Sequence, residues 1–120
     1  MLFTISINSN RDFTRLYKSG RSIVTPAFVC YFRENRQPYN RIGLTASKKI
    51  GNAVCRNRAR RVLREAYRAC ELVFPIGYDI VFVARSGVLT ASSTLLAHQM
   101  RKRVVPRIAA SSAPKKAQER

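Results

Sequence analysis

Apolar and polar positions follow two different periods along the chain, and the switches between them mark its elements. Ser9-Asn10-Arg11-Asp12 has the Ser-x-x-acid spacing of a helix N-terminus. It predicts a short first helix running to about Lys18, ended by Gly20. Ala27 to Arg33 is β-branched and aromatic and predicts a strand. Arg41 to Ala46 predicts a second and Ser22 to Thr25 a short extra one, while Glu34 to Asn40, with Pro38, is a loop. Gly51-Asn52 introduces the longest helix, Asn52 to about Val73, which Pro75 and Gly77 stop. Tyr78 to Ala84 is apolar at both parities and predicts a strand covered on both sides. A last helix follows from about Ala91 to Val105, limited by Pro106, and residues 109–120 are expected as a mobile basic tail beyond a single domain of residues 1–108. The order α, two or three strands, α, β, α is that of an α+β sandwich.

Charge changes the picture. The 120 residues carry 23 Lys and Arg against 6 Asp and Glu, a formal net charge of +17. Self-repulsion on this scale opposes compaction unless a counter-charge lies close, so a polyanionic partner is expected, nucleic acid first and an anionic membrane surface second. The N-terminus lacks the basic segment, apolar run and cleavage site of a secretory signal. No stretch reaches the roughly 20 apolar residues that span a bilayer. A cytoplasmic protein is expected. Cys30, Cys55 and Cys70 are widely spaced and His98 is the one histidine. That is no zinc-ligand pattern, and reduced thiols on apolar faces are the expectation.

The long helix concentrates the charge. At about 100° per residue from Arg56, residues Arg60, Arg64, Asn57, Arg68, Arg61 and Arg58 fall between roughly 40° and 200°. Val62, Cys55, Ala66, Ala59, Cys70 and Leu63 fall between roughly 240° and 340°. A merely solvated helix mixes acids with bases, whereas here like charges stack four apart and Glu65 is the one acid, placed to pair with Arg61. Arginine also suits bidentate contact with phosphate. Lys48 and Lys49 extend the positive patch just ahead of the helix.

Catalytic chemistry has no comparable signal. The acids Asp12, Glu34, Glu65, Glu71, Asp79 and Glu119 are scattered, His98 stands alone, and there is no phosphate-cradling glycine motif. No catalytic or metal-ligating residues are assigned.

The segment Ser47 to Glu65, SKKIGNAVCRNRARRVLRE, resembles the signature of the bacterial ribonuclease P protein family, whose hallmark is the Arg-Asn-Arg run, here Arg56-Asn57-Arg58. Asp12-Phe13 at the first helix, Tyr17 and the strand Phe28 to Phe32 agree at lower specificity, and Arg60 stands where the family often has lysine. The resemblance implies an αβββαβα, ribosomal-protein-S5-domain-2-like sandwich with a mixed sheet of three to four strands and a left-handed β-α-β crossover. It implies a subunit, one per RNA, of an enzyme whose RNA hydrolyses precursor tRNA with Mg²⁺, the protein itself binding no cofactor. Lys48, Lys49, Arg56, Asn57, Arg58, Arg60, Arg61, Arg64 and Arg68 would then meet the catalytic RNA. A cleft for the single-stranded 5′ leader is implied at Phe13, Tyr17 and Tyr31. On the strand, Val29, Tyr31 and Arg33 share one face, so a ring for stacking and a guanidinium for phosphate stand together. Taken alone, these aromatics read sooner as packing residues; the resemblance favours the cleft. A ribosomal protein or general RNA chaperone could use the same basic patch. A peripheral membrane protein fits less well, because the long helix's apolar face is needed for the core and lacks bulky aromatics.

Overall fold

The computed structural model describes the backbone of residues 4–118 and the side chains of residues 4–111. Its elements are β1 (Thr4–Ser6), α1 (Asn10–Ser19), β2 (Arg21–Val24), β3 (Phe28–Glu34), β4 (Asn40–Thr45), α2 (Ala53–Cys70), β5 (Tyr78–Ala84), α3 (Ser93–Gln99) and α4 (Val105–Gln118). The strands form one mixed sheet in the order β1-β4-β5-β3-β2. β4 runs parallel to both β1 and β5, and β3 runs antiparallel to both β5 and β2. Since β4 and β5 are parallel neighbours, α2 is the helix of a β-α-β unit.

The sheet has five strands where the sequence pattern predicts three or four. The additional one, β1, is only three residues long and pairs at the sheet edge. Ile5 there is exposed and Ile7 just beyond it is buried, so its periodicity is too brief to signal a strand. The last helix also departs from expectation, because it continues past Pro106. α3 passes through a π turn at Met100–Val104 into α4. Val105 N–H bonds to Met100 O, five residues back. This wider turn relieves the clash a proline makes with the carbonyl four residues before it, and Pro106 sits in the first turn of the new segment. Residues 109–111, expected in the mobile tail, are thus helical; the rest of that tail lies outside the residues with described side chains.

Alternation along the strands gives the sheet two unlike faces. Ile23, Phe28, Cys30, Phe32, Ile42, Ile80 and Phe82 point to one face and pack with Leu63, Ala66 and Tyr67 of α2, Leu96 of α3, and Met100, Val104 and Ile108. The Phe28 and Phe82 rings meet edge to face at 5.2 Å. Tyr67 is fully buried, and its hydroxyl lies 2.9 Å from Thr4 Oγ1, which itself donates to Glu71 Oε2 at 2.6 Å. A hydroxyl has one proton, so Tyr67 donates to Thr4, and the pair ties β1 to the end of α2. Asn40, also buried, accepts from Gly77 N (2.8 Å) and Tyr78 N (2.9 Å) and donates to Pro75 O (2.9 Å), fixing where β5 begins. Gly77 has φ +99°, a left-handed conformation that favours glycine.

The other face is covered by α1 alone. Leu16 and Ile7 are buried there with Val81, while Phe13, Tyr31 and Val83 pack around them half-buried. Gly43 makes this packing possible: a Cβ at that position would lie 2.5 Å from Phe13 Cε1. The aromatic ring occupies the space a side chain would take.

Candidate nucleic-acid interface

α1 begins at Ser9, whose Oγ accepts from Arg11 N at 3.2 Å. Asp12 does not close the expected capping box. Its Oδ2 instead accepts from Arg41 NH1 at 3.2 Å. Arg41 also grips Asp79 with two hydrogen bonds, Nε to Oδ1 at 2.8 Å and NH2 to Oδ2 at 2.6 Å, and Asn35 Nδ2 donates to the same Oδ1 at 3.0 Å. One guanidinium thereby joins α1, β4 and β5. The bonds to Asp79, ahead of its charge and that of Asp12, hold the Arg41 pKa above its ordinary value. This brace sets α1 at a fixed place over the sheet.

With α1 so placed, Phe13, Tyr17 and Tyr31 form a row. The Phe13 and Tyr17 rings are 6.4 Å apart at 27°, and Tyr17 and Tyr31 meet edge to face at 5.0 Å. Tyr17 is 43% exposed, so its ring is available from solvent. Val29 and Tyr31 are half-buried on the same face and Arg33 is exposed beyond them. The residues assigned to the leader cleft from the sequence therefore come together along one open trough. Val29 to Arg33 spans about 13 Å at about 3.3 Å per residue. Arg41, Asp79 and Gly43 also shape this trough, and the sequence did not single them out for it. Their partners lie far away along the chain, so no local pattern could have found them.

The arginine surface is separate, because α2 packs on the opposite face of the sheet. Lys48 and Lys49 stand exposed on a single 3-10 turn, Lys48–Ile50, before the helix. Asn52 caps α2, its side-chain oxygen accepting from Cys55 N at 2.9 Å. Asn57, Arg58, Arg61 and Arg68 are exposed, whereas Arg56, Arg60 and Arg64 are half-buried. The buried stripe is wider than the helical wheel indicates, since Tyr67, at about 20° on the wheel between Arg56 and Arg60, is fully buried in the core. Arg56 NH1 donates to Gly51 O at 3.3 Å, and Arg60 donates to Asn57 Oδ1. Arg58 NH1 reaches Leu89 O at 3.4 Å. Arg61 and Glu65 are 3.9 Å apart and exposed, a pair too solvated to neutralise the face. The last helix adds a cluster absent from the sequence reading: Arg101, Lys102 and Arg103 on the π turn, with Arg107, are all exposed.

Among the described residues no group of three or more His, Cys, Asp or Glu could hold a metal ion, and no helix is long and apolar enough to cross a membrane. His98 is exposed on α3. Cys30 and Cys70 are buried and Cys55 half-buried, all as free thiols. Burial raises the Cys30 pKa well above the thiol range and pushes Cys70 up to about 11, so both are inert neutral packing groups.

A mixed sheet packed on one face, troughed on the other and flanked by unneutralised arginines defines a small α+β protein built to face a polyanion. The family model of Ribonuclease P matches residues 3–107. The chain is similar to the ribonuclease P protein component of Thermoanaerobacter sp. (strain X514), at 38% identity over 101 residues, 84% of this chain and 87% of that one. Among solved structures, the ribonuclease P protein of Thermotoga maritima superposes with a TM-score of 0.76 at 30% identity, covering 86% of this chain and 96% of that one. That of Staphylococcus aureus gives 0.72 at 32%, covering 87% and 94%. The chain belongs to the ribonuclease P protein family.

Proposed function

We propose that the chain is the protein subunit of a ribonuclease P holoenzyme, joining a catalytic RNA and binding the 5′ leader of precursor tRNA. The observation that carries this reading is the division of the surface. The aromatic trough and the arginine helix lie on opposite faces of one sheet, so two RNA strands can be held at once. Lys48, Lys49 and the exposed Asn57, Arg58, Arg61 and Arg68 would meet phosphates of the RNA subunit, with Arg56, Arg60 and Arg64 at the margin of that contact. Screening there lowers the repulsion between converging RNA strands, and the RNA, which performs the hydrolysis with its own Mg²⁺, then works at lower Mg²⁺. Tyr17, Tyr31 and Phe13 would stack on leader bases, with Arg33 on a phosphate. Stacking tolerates many base sequences, because every base has a π face. Mature tRNA lacks the leader, so the trough favours precursor. One protein per RNA suffices, and the setting is the bacterial cytoplasm.

The test is cleavage of a 5′-labelled precursor tRNA by bacterial ribonuclease P RNA at low Mg²⁺, with and without the protein. Stimulation, with no cleavage by the protein alone, is expected. Tight RNA binding without stimulation would instead favour a ribosomal or chaperone role.

A further inference from the structure

From Arg85 to Gln118 the sequence contains no acid, and its cations gather where the last helix crosses the sheet. Met100 and Val104 bracket the π turn and are buried, while the three residues between them, Arg101, Lys102 and Arg103, all face outward. Arg107 follows Arg103 by four residues and is exposed as well. Two arginines are fixed at the outer edge of the sheet by consecutive carbonyls. Arg103 NH2 donates to Val24 O at 3.3 Å, and Arg85 NH1, just past β5, donates to Thr25 O at 2.9 Å. Two guanidinium groups from different elements are thereby gathered at the β2 corner, each with donors left over. Among the described residues none of Arg85, Arg101, Lys102, Arg103 and Arg107 pairs with a carboxylate. A merely solvated helix face carries acids among its bases, and this one has none. The charges repel one another in the free protein, and an anion laid across them relieves that repulsion.

Position and composition select the anion. The last helix covers the same face of the sheet as α2: Cys70 Sγ lies 3.9 Å from Met100 Sδ, and Arg58 NH1 reaches Leu89 O just ahead of α3. An RNA seated on the arginine helix can therefore extend over the last helix. α2 packs over β4 and β5, whereas Arg103 stands at β2, two strands beyond β5 and about 10 Å away. That separation is about a Debye length at physiological salt, so the two basic surfaces engage different phosphates. No Phe, Tyr or Trp occurs from Arg85 to Arg120, which leaves no large aromatic ring for stacking an unpaired base. Base-paired RNA offers a protein chiefly its backbone and matches such a surface. We propose that Arg85, Lys102, Arg103 and Arg107 hold backbone phosphates of a base-paired stem of the RNA subunit, at a contact separate from that of α2. This rests on the proposed subunit role and extends it: the RNA is gripped along two basic surfaces, of which the arginine helix is one.

The experiment measures the affinity of the full chain for bacterial ribonuclease P RNA across a salt titration, with hydroxyl-radical footprinting of the RNA at saturating protein. Two double variants are compared with the wild type: Arg85→Gln with Arg103→Gln, and Lys102→Gln with Arg107→Gln. The first removes both bonds to the β2 corner. The second alters side chains that have no hydrogen bond or ion pair among the described residues, so it reports on RNA even if the first fails to fold. Each phosphate contact removed should weaken binding about fivefold at physiological salt and lower the salt slope by about one. Protection of one base-paired stretch should be lost in both variants and kept in Arg58→Gln with Arg61→Gln. The preference of the assembled holoenzyme for precursor over mature tRNA should not change. Unchanged affinity and slope in the Lys102 and Arg107 variant overturn the proposal, and so does protection lost at an unpaired segment. A reduced precursor preference also overturns it, since the surface would then serve the substrate. If the wild type itself does not bind the RNA, the subunit role falls too; if wild type and variant bind equally well, only the second surface falls.

Discussion

The two faces of the sheet use similar residues to opposite ends. On the helix-covered face, Phe28, Phe82 and Tyr67 are sealed from water and every ring meets another ring or a side chain of α2 to α4. On the face under α1, Phe13, Tyr17 and Tyr31 touch each other as closely, but one ring remains open to solvent. Aromatic side chains thus supply stability where three helices cover them and a stacking surface where a single helix leaves a gap. Ring type alone does not decide between these roles; coverage does.

The largest effect should come from the sealed face. Phe82→Ala should cost about 3–5 kcal/mol of unfolding free energy, read from a denaturant midpoint, because the ring is wholly buried and its cavity has no way to collapse. Tyr31→Ala on the open face should cost far less stability while weakening precursor binding by about 1–3 kcal/mol. If both substitutions destabilised the fold equally, the contrast between the faces would be lost. Next comes the brace. Arg41→Met leaves Asp12 and Asp79 facing each other without their cation, and should cost about 2 kcal/mol in the same unfolding experiment. Asp12→Asn should cost less, since the two bonds to Asp79 remain. Gly43→Ala forces Phe13 off the sheet and should cost about 1–2 kcal/mol, with the Tyr17 and Tyr31 ring resonances shifted in an NMR spectrum.

The smallest effect is one of pH. Burial raises the pKa of Cys70 from the ordinary thiol value near 9.0 to about 11 and raises that of Cys30 further. Between these values the unfolded chain loses thiol protons that the folded chain keeps, so stability must fall as pH rises above about 9 and be flat in this respect at neutral pH. Thermal melts between neutral pH and pH 10 should show the decline, and Cys70→Ala should reduce its steepness.

Much of this contrast can be read in the sequence, and the rest has a physical reason for being hidden. Strand alternation already separates Phe28, Cys30 and Phe32 from Val29, Tyr31 and Arg33, and the structure keeps that separation. The arginine stripe of α2 follows directly from helical geometry. Tyr67 escapes the wheel because it sits between arginines, and its burial is settled by β1, which supplies Thr4 as a hydrogen-bond partner. β1 itself is too short to carry a period. The brace joins Arg41 to Asp79, 38 residues on, and to Asp12, 29 residues back, so only the folded sheet brings the three together. Gly43 gives no hint of Phe13 for the same reason. Pro106 misleads because a proline usually limits a helix, and the π turn before it removes the clash that makes it do so. Local periods foretell which way side chains point; which of them meet is decided by topology.

The most direct test of the account is the ratio of precursor to mature tRNA affinity for the holoenzyme, measured with wild-type protein and with Tyr31→Ala. The ratio should collapse toward one in the variant while binding of the RNA subunit and of mature tRNA is unchanged. An unchanged ratio, or parallel losses for precursor and mature tRNA, would contradict the assignment of the open face to the leader.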